Sequence, residues 1–76
     1  MSDDPEVPAH LIAAQRAYDA AEVALQAAVE AGAELGDLRA EVRRAVVALH
    51  AARTEAGPEW ASWEGTRRIQ KAARGE

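Results

Sequence analysis

Two histidines, two serines and no cysteine are the residues available for nucleophilic or metal chemistry in this 76-residue chain. His10 and His50 are forty positions apart, with no HExxH pattern and no thiolate to complete a zinc site. Neither Ser2 nor Ser62 stands in the glycine-flanked turn that exposes a nucleophilic serine. Glu30 with Glu34, and Glu55 with Glu59, are carboxylate pairs four residues apart. Without a histidine at helical spacing they read as solvent-facing acids rather than as halves of a di-metal site. Gly32 and Gly36 lack the lysine and the spacing of a phosphate loop. The sequence therefore predicts no catalytic residue, no metal site and no cofactor. A small helical enzyme with a site shared between subunits is the remaining catalytic alternative.

Binding chemistry is better represented. Trp60 and Trp63 lie three residues apart, so one helix would place both on one face. Tryptophan is enriched at interaction hot spots, and its indole N–H requires a polar partner when buried. The pair either seals a core or presents an anchor. The adjoining run, RRIQKAAR, holds Arg67, Arg68, Lys71 and Arg74, of which Arg67, Lys71 and Arg74 keep helical spacing. A basic ridge of this kind suits solvent and the helix dipole, or orients an acidic partner. Trp60, Trp63, Arg67, Arg68, Lys71 and Arg74 are the partner-binding candidates.

The elements that must position them are helices. Twenty alanines and no phenylalanine favour helix but leave little bulk to bury. Residues 1–7, with one proline and three acids, predict a flexible acidic arm. From Pro8, Leu11, Tyr18 and Leu25 recur every seven residues, with Ala14, Ala21 and Ala28 between them. Gly32 and Gly36 mark a joint, after which Asp37 suits a helix cap. Leu38, Val42, Ala45, Leu49 and Ala52 form the next stripe. Gly57-Pro58 breaks it, and Gly65 weakens the C-terminal helix beyond that break. The expected fold is all-α: an antiparallel helical hairpin over a single small domain, residues 8–76, plus a shorter third C-terminal helix.

The run AVEAGAELGDL resembles the helix-turn-helix of bacterial regulators. Ala28 followed four residues later by Gly32 matches the small residue and turn glycine of that family, and Leu38 matches a hydrophobic position of its recognition helix. The resemblance implies sequence-specific DNA binding. It covers about twenty residues, and Gly36 and Asp37 would then fall inside the recognition helix. Trp63-Glu64-Gly65 is similar to the WxG triplet of small secreted helical-hairpin proteins. There the triplet sits between two long helices, whereas eleven residues come after it here.

Charge weighs against indiscriminate nucleic-acid binding. Net charge is −4, and residues 1–36 carry seven acids against Arg16 alone. No run of eighteen apolar residues is present, and the acidic start lacks the pattern of a signal peptide. The sequence thus predicts a cytoplasmic chain, and its alanine and arginine bias suits a GC-rich bacterial or phage genome. A chain of this size buries only about 60% of its unfolded surface, and alanine at its seams reduces the gain further. Association with a second copy or another protein, as a regulator or accessory subunit, is the expected function. DNA binding is the alternative, and no membrane is implied.

Overall fold

A computed structural model of the chain describes residues 7–75. Helix α1 spans Ala9–Ala31, entered through Pro8, whose carbonyl accepts from the Leu11 and Ile12 amides at 3.1 and 3.3 Å. Its missing N–H would have been unpaired there in any case. The helix ends where Gly32 turns left-handed, at φ 69°. The Gly32 amide then closes on the Val29 carbonyl and the Ala33 amide on that of Ala28.

Helix α2 spans Gly36–Ala56. Asp37, expected as its cap, lies instead in the first turn and makes no capping bond. Leu35 holds the cap position, and Glu34 Oε1 accepts from the Gly36 amide at 3.2 Å. The charge of Asp37 still favours the helix dipole. Gly57, at φ 130°, carries the chain out of α2.

The expectation of a hairpin plus one further helix is corrected here, because the described residues, all-α, form four helices. Beyond Gly57 come α3, Pro58–Ala61, and α4, Trp63–Arg74. Ser62 divides them. Its backbone is extended, at φ −77° and ψ 167°, so helical bonding cannot pass through it. Its hydroxyl donates to the Glu59 carbonyl at 2.7 Å and accepts from the Gly65 amide at 3.0 Å. One side chain thereby finishes α3 and caps α4.

Ala52 and Ala56, late in α2, pack against a cluster that contains Val7 and Leu11 from the beginning of the described chain, so α2 runs back along α1. Trp60 of α3 with Ile69 and Ala72 of α4 completes that cluster. Leu11 and Ile69 are fully enclosed. The core therefore lies at one end of the molecule. Of the two stripes expected to form it, Leu11 and Leu49 are buried, whereas Tyr18, Leu25, Leu38 and Val42 are only half-buried. No residue between Glu22 and Ala48 is buried. Of the arm expected over residues 1–7, residues 1–6 lie outside the described residues, and Val7 is part of the core. No helix among the described residues is long and apolar enough to cross a membrane.

Candidate functional site

The break at Ser62 separates the fates of the two tryptophans. Trp60, in α3, is 5% exposed and sits in the core, with the Arg68 guanidinium 4.6 Å from its ring centroid. A cation over an indole face at that distance is attracted by the ring quadrupole. The Trp60 carbonyl accepts from Arg53 Nε at 2.7 Å. Trp63, the first residue of α4, is 74% exposed. A single uninterrupted helix would have kept the two rings on one face; two helices let one ring fill the core while the other faces solvent.

Arg53 and Gly65 hold this corner together; sequence reasoning gave Arg53 no role and took Gly65 only as a weak point of the C-terminal helix. Arg53 reaches from α2 to the Trp60 carbonyl, to the Ser62 carbonyl at 3.4 Å, and to the Thr66 hydroxyl. Thr66 in turn donates to the Ser62 carbonyl at 3.0 Å. Gly65 brings the first turn of α4 against the backbone of α3. A Cβ built there would stand 2.2 Å from the Glu59 carbonyl oxygen and 2.7 Å from Trp60 Cα. The readable signal was Ser62, a favoured cap residue three positions before Gly65.

From Trp63 the outward face of α4 continues through Arg67, Lys71 and Arg74. These three cations make no ion pair among the described residues. They line, with Glu64, Arg68 and Gln70, a shallow cleft of about 330 Å³. Lys71 and Arg74 occupy the last turn, where positive charge suits the dipole. Beyond Arg74 lies a second, larger cleft of about 590 Å³ along α1, lined by Asp19, Glu22, Val23, Leu25, Gln26 and Val29 with Arg74 at its edge.

The acids of this second cleft bind neutral donors. Asp19 accepts from Gln15 Nε2 at 2.9 Å, and Glu22 Oε2 accepts from the Tyr18 hydroxyl at 2.8 Å. The bond to Glu22 raises the Tyr18 pKa above the ordinary 10.0, with desolvation and the charges of Glu22 and Asp19 acting in the same direction. Val23 and Val29, on the same stretch of helix, are 69% and 51% exposed.

The other sequence candidates do not converge. His10 and His50 are both exposed, on α1 and α2. The Ser62 hydroxyl is engaged as a cap, and Ser2 lies outside the described residues. Among the described residues no group of three His, Cys, Asp or Glu is placed to hold a metal ion. Gly36 and Asp37 are the first two residues of α2 rather than part of its interior, and Arg44 pairs with Glu41 at 3.3 Å. Trp63-Glu64-Gly65 forms the opening of α4, not a connection between long helices. No family model matches the chain, and no curated protein or solved structure matches it.

Proposed function

We propose that this protein acts by association: it is a small helical interaction module whose contact surface is the outward face of α4. The observation that carries this reading is the division of the tryptophans. The core already contains one indole, so the second is not needed to close it, yet Trp63 stands exposed at the start of the helix that carries Arg67, Lys71 and Arg74. A large aromatic ring in line with cations that lack internal partners has the composition of an interface anchor. The cations steer an acidic partner, and the ring supplies contact area once it arrives. A regulator or accessory subunit requires no more chemistry than this.

The test is affinity capture from native host lysate with the wild-type chain and with Trp63→Ala as paired baits. A stoichiometric protein that resists nuclease treatment and is lost with Trp63→Ala supports the reading. Equal recovery on both baits removes Trp63 from the contact. Salt-sensitive enrichment of one DNA region in place of protein replaces the reading with nucleic-acid binding.

A further inference from the structure

Helix α4 covers only half of α1. At 1.5 Å per residue, the 23 residues of α1 measure about 35 Å and the 12 of α4 about 18 Å. Leu11 shares the core cluster with Trp60 and Ile69, Arg16 Nε donates to the Ala73 carbonyl at 3.0 Å, and Arg74 borders the cleft beside Asp19 and Glu22. Helix α4 therefore advances along α1 and stops beside Asp19. The same face of α1 continues bare past that point, as the cleft with Val23, Gln26 and Val29. The result is a step: α4 is the raised half and distal α1 is the recessed half.

The two halves match in sign and in spacing. The recess presents Asp19 and Glu22, with no cation paired to either among the described residues. The raised half presents Arg67, Lys71 and Arg74, with Glu64 as the one acid lining that cleft. Arg74, Lys71, Arg67 and Trp63 are separated by three, four and four residues. Asp19, Glu22, Gln26 and Glu30 repeat those intervals in the opposite chain direction. Two helices laid antiparallel in that register place Arg74 over Asp19, Lys71 over Glu22, Arg67 over Gln26, and Trp63 over the exposed Val29 and Glu30.

The geometry points to a second copy of this chain as the occupant of the recess, joined about a two-fold axis beside Arg74. Because α4 runs in the direction of α1, a perpendicular two-fold axis reverses it and drops it into the recess of the other copy. The same operation lays the second α4 on the first recess. Each copy gives and receives the same surface, as a closed two-fold dimer requires. A different protein would need no match between the two halves of this one surface. The joint rests on the association reading and names its partner. It also covers part of the stretch from Glu22 to Ala48 that has no buried residue, and encloses Trp63. Two laps of this length fall at the small end of specific interfaces, so micromolar affinity that weakens with salt is expected.

The test is sedimentation equilibrium of the whole chain through the micromolar range at low and high salt, with Glu22→Lys, Lys71→Glu and the double variant. Wild type should dimerise, and each single charge reversal should weaken the dimer about tenfold or more, since each acts twice per interface. The double variant restores opposite charges across the joint and should recover affinity. In a Trp60→Phe background, the emission of Trp63 should move to the blue as concentration rises. If a single reversal loses helicity, Asp19→Lys with Arg74→Glu tests the neighbouring pair in the same way. A wild-type chain that stays monomeric and helical at high micromolar concentration overturns the joint. So does a dimer indifferent to both single reversals, or one that the double variant fails to restore. Monomeric wild type that still captures another protein through Trp63 overturns the joint and leaves the association reading standing.

Discussion

Replacing Gly65 by alanine separates two opposite expectations for the corner of the fold. Helix propensity alone says that alanine within α4 stabilises by about 1 kcal/mol. Packing says the reverse. The new Cβ would lie 2.2 Å from the Glu59 carbonyl oxygen, where ordinary contact begins at 3.4 Å. The obstacle is backbone, so α3 must retreat by about an ångström or more to restore normal contact. That backbone is held by Arg53 at the Trp60 carbonyl and by the Ser62 hydroxyl at the Glu59 carbonyl, and its Trp60 ring is in the core. Overpacking of this kind, with those bonds strained, costs about 3 kcal/mol, leaving a net loss of roughly 2 kcal/mol. For a domain of this size the melting temperature should fall by roughly 8–16 °C. Gly36→Ala is the control: its Cβ would meet only the flexible Glu34 carboxylate, at 3.5 Å, and its φ is not positive. It should be neutral or slightly stabilising. Circular-dichroism melts and urea titrations of both variants decide the matter, at equal protein concentration because association shifts apparent stability. A Gly65→Ala protein that melts at or above wild type would refute the packing argument.

Arg53→Ala should destabilise the fold by about 2–3 kcal/mol, because it removes charged hydrogen bonds to three acceptors at the α3–α4 corner, read as a lower urea midpoint. Trp60→Phe, measured at dilutions where the chain is monomeric, should leave red-shifted, readily quenched emission from Trp63; Trp63→Phe should leave blue-shifted, protected emission from Trp60. Ultraviolet titration should find the Tyr18 phenol ionising above 10.0, and Glu22→Gln should lower that pKa by removing both the charge and the strongest acceptor. Since the folded pKa is raised, the stability linked to Tyr18 is complete below pH 10 and declines as pH rises through the folded value, so alkaline melts of wild type should fall more steeply than those of Tyr18→Phe.

The helices were readable where side-chain type and spacing determine the backbone directly. Pro8, Gly32 and Gly57-Pro58 delimit α1 and α2 through φ preferences that need no tertiary contact. The stripes were readable as inward faces because periodicity reports which side turns in. It does not report how completely a third layer covers that side, and so Leu25 and Val42 remain half-buried while Leu11 is enclosed. The division at Ser62 was missed because a serine cap ends one helix and starts another without proline or glycine at the joint. Gly65 read as a weakness in one helix, whereas its role is an approach distance between two. Trp60 and Trp63 were identified as the pair that matters, but their assignment to core and solvent depended on that missed division. Val7 counted as arm by composition, because a lone valine among prolines and acids carries no periodicity.

The placement of the core also sets an order of events in the life of the chain. Leu11 waits for Ile69 and Ala72, synthesised about sixty residues later, before it is enclosed. Until α4 exists, Leu11 has Val7, Trp60 and the alanines of α2 around it but lacks Ile69 and Ala72 to complete its enclosure. Contacts so distant in sequence must be won against loop-closure entropy before they stabilise anything, which slows folding for a protein so rich in helix. A nascent or clipped chain that lacks α4 should therefore leave Leu11 and Ile12 less covered, and more open to proteases and to chaperones, than the full chain does.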